Sequence, residues 1–291
     1  MLKTIRLCIG TTVVRALETA QGKPISTLGM KLMKRAYVKA IESNYRFYGF
    51  GNSDFMTKFS YEVPIQNLED FEPYQELYFA LSFLCKRPKY FDYMRKKVVE
   101  GREVILDNSY NELQKPEEGG ELVRIFKDLG ASMLVSPNDN KWSIKELESA
   151  YMEVVNLVPK EKVLLVAKSK EEYDYFQGLG HHKFATTYEQ RPTLPTPILM
   201  YSYHFLGFIN PMEIRRYVPF SCDTAQPLKL ALRGKTMEDW VKEGYPHYKT
   251  TPDFFNLTFS KEELDLAKRN CQWIKDNLGG YYGNATHQVE L

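Results

Sequence analysis

The apolar positions of this chain come mostly in short runs, separated by polar stretches with helical periodicity. The runs Phe59–Ile65, Leu77–Leu84, Val104–Asp107, Ser132–Ser136, Val163–Ala167, Lys183–Thr187, His204–Phe208 and Pro219–Cys222 each span four to eight residues and read as strands buried on both faces. Ile25–Leu28 is an alternative to the first of them. The stretches between carry helix start signals. Ser143 followed by Glu146 forms a capping box, Ser169 and Glu172 repeat the spacing directly after a strand, and Asn210-Pro211 places proline at a first helical position. Strand, cap and helix recurring every 25–30 residues or so predicts parallel strands joined by crossover helices. Eight such units predict a (β/α)8 TIM-like barrel. Beyond Asp223 the rhythm breaks into an aromatic, Lys- and Pro-rich excursion over 224–259. A last helix follows from the box Ser260/Glu263, with Leu264, Ala267, Cys271, Ile274 and Leu278 on one face and Gly279-Gly280 at its stop.

Charge divides the chain. Residues 1–58 carry a net charge of +7 and the remainder −5, within an overall +2. The expected organisation is therefore a basic N-terminal segment, 1–57, on a barrel, 58–291, that ends in a C-terminal helical segment. The basic segment suggests contact with a phosphate backbone through Lys31, Lys34, Arg35 and Lys39, with Lys229 and Arg233 as further candidates. Its alternative is an ordinary solvated helix surface. Four dispersed cysteines (Cys8, Cys85, Cys222, Cys271), without a CxxC pair or a Cys/His cluster, argue for reduced thiols in a cytoplasmic protein and against a metal site. No apolar stretch reaches bilayer-spanning length, so no membrane partner is expected.

Two aspartates stand out. Asp107 closes Val104-Ile105-Leu106, and Asp223 closes Phe220-Ser221-Cys222. In a barrel both would be delivered to the C-terminal face, where active sites are built. Each taken alone is as well explained by an Asx turn or a helix cap. The paired acids by themselves allow a barrel lyase or a glycosidase.

Three ordered blocks point further. Ile105-Leu106-Asp107-Asn108-Ser109-Tyr110-Asn111-Glu112, then Tyr203-His204-Phe205-Leu206-Gly207-Phe208-Ile209-Asn210-Pro211-Met212-Glu213-Ile214, then Phe220-Ser221-Cys222-Asp223-Thr224-Ala225-Gln226-Pro227 together resemble the tRNA-guanine transglycosylase superfamily. The family's zinc-ligand cluster is absent, Ser109-Tyr110 stands where the family has Gly-Gly, and Leu228 stands where it has Arg. A chain of this kind, without the zinc subdomain, is most similar to the phage-type DNA-guanine transglycosylases. The resemblance implies exchange of guanine in DNA for a 7-deazaguanine such as preQ0, protecting phage DNA from host restriction in the host cytoplasm. It implies a covalent Asp223–sugar intermediate, with Asp107 as general acid/base and no cofactor. Asn138 or Asp139 would read the base, Asn108, Ser109, Lys168 and His204 would adjoin it, and Gly207 with Leu206 would lie against its face. The alternatives are the same reaction on tRNA, or a non-catalytic nucleic-acid-binding paralogue.

Overall fold

The computed structural model describes residues 57–193, 203–208, 210–217, 219–248, 251 and 253–278. The basic segment, with Lys31, Lys34, Arg35 and Lys39, the alternative strand Ile25–Leu28 and the expected stop at Gly279-Gly280 lie outside these residues.

Eight parallel strands follow one another around a barrel: β1 (Lys58–Tyr61), β2 (Tyr78–Leu81), β3 (Val104–Asp107), β4 (Met133–Val135), β5 (Val163–Val166), β6 (Phe184–Thr187), β7 (Tyr203–Leu206) and β8 (Ser221–Thr224). All are shorter than or equal to their predicted runs, because only the stretch at the barrel waist is paired. Seven seams are hydrogen-bonded ladders, with β1 against β8 in the register Ser60↔Asp223. The eighth, between β1 and β2, is stitched largely by side chains. Ser60 Oγ accepts from Phe79 N–H at 2.9 Å, and the Gln75 carboxamide both accepts from Tyr61 N–H and donates to its carbonyl, each at 2.8 Å. These contacts satisfy backbone groups that an open edge would leave unpaired.

Helices clothe the barrel: α1 (Pro88–Val99), α2 (Tyr110–Leu113), α3 (Gly119–Leu129), α4 (Ile144–Val155), α5 (Lys170–Gly178), α6 (Pro211–Tyr217), α7 (Gln226–Ala231), α8 (Met237–Lys242) and α9 (Lys261–Asn277). The start signals act as expected. Ser143 and Glu146 close a reciprocal box, as do Ser260 and Glu263, and Asn210 Oδ1 accepts from Glu213 N–H at 3.1 Å. The excursion after β8 also holds a box not anticipated, Thr236 with Asp239, which starts α8.

The last helix buries Ala267, Cys271, Ile274 and Leu278 as its spacing requires. It also buries Asn270, whose amide donates to the carbonyls of Pro227 and Lys235 and whose oxygen accepts from Met237 N–H. One polar side chain thus ties α9 to both short helices that follow β8. By strand parity the barrel interior is filled by Phe79, Ile105, Met133, Val135, Leu164 and Ala185, while Phe59, Leu134, Phe184 and Phe205 face the helical layer. None of the helices among the described residues is long and apolar enough to cross a membrane.

Candidate active site

A cavity of about 370 Å³ opens at the C-terminal ends of the strands. Its floor follows from strand parity, since residues two apart on a strand share a face. Ser221 and Asp223 of β8 point inward together and Cys222 points outward. Glu62, two residues beyond Ser60, stands one step past the end of β1 and donates its backbone N–H to Thr224 O at 3.1 Å. Phe79 and Leu81 of β2, Asp107 of β3, Val166 of β5 and Leu206 of β7 complete the floor. Glu112 of α2, Glu189 and Lys229 of α7 stand among the walls.

Asp223 is 4% exposed, and its Oδ1 takes two protein donors. His204 Nε2 lies 3.1 Å away and Gly207 N–H donates from 3.2 Å. His204 is buried beneath the cavity, stacked on Phe79 at 4.8 Å between ring centroids, with Nδ1 2.7 Å from Ser221 Oγ. In the neutral imidazole the Ser221 hydroxyl donates to Nδ1, which leaves the proton on Nε2 aimed at Asp223. Ser221, His204 and Asp223 have the composition of a hydrolase triad, but the serine is wholly buried and does not line the cavity. The chain of contacts therefore serves the carboxylate, and Ser221 is no nucleophile.

Three neighbouring acids, Glu62, Asp107 and Glu112, are shifted upward. Burial pushes the Glu62 carboxyl well above the ordinary range, and the charges of Asp223 and Glu112 push it further, with a hydrogen bond shared with Asp223. Asp107 is also raised well above its ordinary value, by burial first and then by Glu112 and Asp223. The hydrogen bond from Ser109 N–H, 2.7 Å from Oδ2, works in the opposite direction. Glu112 is raised for the same reasons, but its side chain stands at the exposed rim, where water screens it. Lys229 is lowered, with burial outweighing the acids around it. Carboxyl groups this close disfavour one another's ionisation.

The other sequence candidates take varied places. Asn108 and Asn138 line the cavity and bond to each other at 2.7 Å, and Asn108 also closes an Asx turn on Tyr110 N–H. Leu206 and Gly207 line it as well. Ser109 is turned away. It sits at φ 55, fully buried, with its hydroxyl 3.0 Å from that of Ser82, which in turn donates to the buried Glu117 carboxylate. Asp139 accepts from Tyr110 OH of α2 and from Lys141 N–H in its own loop. Lys168 is occupied by the carbonyls of Asp139 and Trp142 and pairs with Glu172 at 3.4 Å. Neither Asp139 nor Lys168 is among the cavity-lining residues. Lys229 faces the carboxylates, and Arg233 lies over the Tyr248 ring at 4.5 Å and donates to Lys229 O.

Residues to which the sequence alone assigns no role include Glu62, Glu112, Glu189 and Gln226 on the cavity wall and Arg191 behind it. Strand parity from Ser60 could have identified Glu62. Two buried polar atoms at the wall, Thr187 Oγ1 and Gln226 Nε2, have no protein partner among the described residues. Such groups cost about 1–3 kcal/mol each while unpaired, which favours a polar occupant. The described residues hold no cluster of three or more metal-ligating side chains.

No family model matches the chain, and no curated protein does. Solved structures that it resembles include N-acetylneuraminate lyase from Mycoplasma synoviae, at 11% identity and a TM-score of 0.45, covering 78% of this chain and 98% of that one. N-acetylneuraminate lyase from Fusobacterium nucleatum is 12% identical, with a TM-score of 0.43 and coverage of 78% and 100%. The 4-hydroxy-tetrahydrodipicolinate synthase from Methylacidiphilum fumariolicum SolV is 10% identical, with a TM-score of 0.42 and coverage of 77% and 97%. Likeness at this level assigns no activity to the chain.

The expected kinship with guanine transglycosylases is corrected by these comparisons: the structures matched are lyase and synthase barrels. With it fall base exchange by a pentosyltransferase, the 7-deazaguanine co-substrate, restriction evasion, and DNA or tRNA as partner. The geometry gives a physical reason. The lining carries five carboxyl groups, Asp223, Asp107, Glu62, Glu112 and Glu189, against Lys229 and His247, so it offers a phosphate backbone few cationic contacts. Arg233 is turned to internal partners.

Proposed function

We propose that the barrel mouth is the active site of an enzyme that moves protons on a small hydroxylated molecule, neutral or cationic, in an elimination or isomerisation. The observation that carries this reading is the convergence of Glu62, Asp107 and Asp223 in one cavity, with Asp223 Oδ1 held by two donors and the Glu62 and Asp107 carboxyls raised by burial. Such division of labour between neighbouring acids is how a single site supplies an acid and a base at the same pH. Asp223, held by His204 and Gly207, acts as the base that takes a proton from carbon or hydroxyl. Glu62 and Asp107, whose carboxyls burial raises, give a proton to the departing or carbonyl oxygen. Lys229 offsets part of the negative charge and can bind an oxygen of the substrate. Asn108, Asn138, Thr187 and Gln226 supply further hydrogen bonds at the wall. The cavity volume suits a molecule of metabolite size.

A survey of compound classes tests this. Hydroxylated carbonyl compounds, polyols and amino sugars are incubated with the protein in D2O and followed by proton NMR, with phosphorylated and carboxylated analogues beside them. Deuterium wash-in or product formation with a neutral or cationic member, abolished by Asp223→Asn, is expected. Equal turnover by the Asp223→Asn protein, or a preference for the anionic analogues, would overturn the reading.

A further inference from the structure

The Asp223 carboxylate is aligned by a residue that never reaches the cavity. Arg191 follows β6, is fully buried, and is absent from the cavity wall although Thr187, Tyr188, Glu189 and Gln190 just before it belong there. Its guanidinium lies over the Phe205 ring at 4.0 Å. Nη1 donates to Glu213 Oε2 at 2.8 Å, and Nη2 donates to three carbonyls, Thr186 at 3.2 Å, Leu206 at 3.1 Å and Gly207. The two N–H bonds of Nη2 are shared among three backbone acceptors at the ends of two adjacent strands while Nη1 holds Glu213, a clamp whose directions the planar fork fixes.

One of those carbonyls matters more than the others. Leu206 C=O and Gly207 N–H belong to the same peptide unit, which is planar and rigid. Arg191 holds its oxygen, and Asp223 Oδ1 accepts from its hydrogen at 3.2 Å. Fixing one end of the plane fixes the direction of the other. A cation on the carbonyl oxygen also polarises the unit and strengthens the N–H as a donor. Gly207 sits at φ 64, the left-handed region, so the peptide does not hold this orientation by ordinary strand geometry. We propose that Arg191 is a positioning residue: by clamping the Leu206–Gly207 peptide from behind, it aims the Gly207 N–H at Asp223 and fixes the carboxylate for reaction. Its bearing on catalysis rests on the reading of Asp223 as the base, but the physical linkage can be tested without it.

Amide hydrogen exchange provides that test. Protein labelled with 15N-glycine is compared with Arg191→Lys, which keeps the charge and loses the fork, and with Glu213→Gln, which loosens the arginine without removing it. Gly207→Ala identifies the Gly207 signal by its loss. The Gly207 amide should exchange at least about tenfold faster in Arg191→Lys and in Asp223→Asn, with the α3 and α5 glycine amides unchanged. Glu213→Gln should give a smaller acceleration at the same site and serves as the fallback if Arg191→Lys fails to fold. Unchanged Gly207 exchange in a folded Arg191 or Glu213 variant would overturn the proposal, as would acceleration spread evenly over all glycines. In the D2O wash-in assay, Arg191→Lys should lower turnover without changing substrate affinity and should displace the pH profile. If Gly207 responds as stated while Asp223→Asn keeps full turnover, the active-site reading fails and the Arg191–Gly207–Asp223 linkage stands.

Discussion

His181 sets a stability threshold in mild acid. It lies beyond α5, 1% exposed, with Nδ1 2.9 Å from the Tyr151 hydroxyl of α4 and Nε2 against the Lys183 carbonyl that leads into β6. Tyr151 and Phe184 meet its ring edge-on at 5.0 and 5.2 Å. Burial drives its pKa down to about 4 from an ordinary 6.5, with the nearby lysines adding to the effect. The neutral ring is therefore the folded form, and the unfolded chain takes up the proton first as pH falls. Stability is fully present above pH 6.5 and is lost as pH falls through the window from 6.5 to 4. Linkage over that window gives a loss of about 2 kcal/mol between pH 7 and pH 5, approaching about 3.4 kcal/mol below pH 4. The assay is urea unfolding at pH 7 and pH 5 for the wild type and for His181→Gln, whose amide can reach the same two partners without titrating. The wild type should lose about 2 kcal/mol more than the variant, equivalent to roughly 4–8 °C in melting temperature. Parallel loss in the two proteins would refute the assignment, because the carboxyl groups of the cavity respond to pH alike in both.

Other expectations follow from the cavity. Glu62→Gln should stabilise the protein at pH 8 by about 0.5–2 kcal/mol and by much less at pH 4.5, since a carboxyl raised on folding costs stability once pH exceeds its unfolded value; calorimetry at the two pH values decides it, and turnover should fall. Gly207→Ala meets open space but keeps a φ of 64, so strain alone should cost about 1–2 kcal/mol in chemical unfolding. Asn270→Leu should cost about 2–4 kcal/mol, because two carbonyls and an N–H lose their partner inside the α7–α9 contact; an unchanged unfolding midpoint would contradict that account. Ser221→Ala should preserve the fold yet reduce turnover by releasing the His204 tautomer, whereas loss of all turnover with His204 unmoved in NMR would point to the hydroxyl acting directly.

The barrel is legible in the sequence because buried parallel strands leave dense apolar runs and their helices leave caps, both of them local signals. Strand ends are less so. The run Pro219–Cys222 starts two residues before the paired strand, Ser221–Thr224, since apolar content does not mark where pairing begins. That shift matters chemically: it puts Asp223 inside the ladder, on the inward face beside Ser221, rather than in a loop beyond it. Asp107 satisfies both of its readings, since it closes an Asx turn with one oxygen and lines the cavity. The ordered blocks that suggest a nucleic-acid enzyme mislead because short strand-end segments with Asp, Gly and Pro answer to barrel geometry as much as to any one chemistry. Arg191 leaves no signal at all. Its acceptors are three main-chain carbonyls, and a sequence does not show where carbonyls converge.

The arrangement around Asp223 also explains how so polar a cavity coexists with a largely apolar barrel beneath it. Each inward polar group at the floor is answered by a group one layer down or one strand over. His204 is held between Ser221 and Phe79, the Leu206–Gly207 peptide is held by Arg191, and Arg191 is held by Glu213. The cost of burying a guanidinium is offset by its fork of acceptors and the Phe205 face. Ser221, His204, Arg191 and Glu213 do not line the cavity and reach it only through the groups they orient. A rigid support of this kind keeps neighbouring acids within one another's reach without collapsing or flooding the site. Loosening it should therefore degrade proton transfer before it degrades binding. The Arg191→Lys protein exposes that order directly, because its charge is retained while the fork that holds the Leu206–Gly207 peptide is lost.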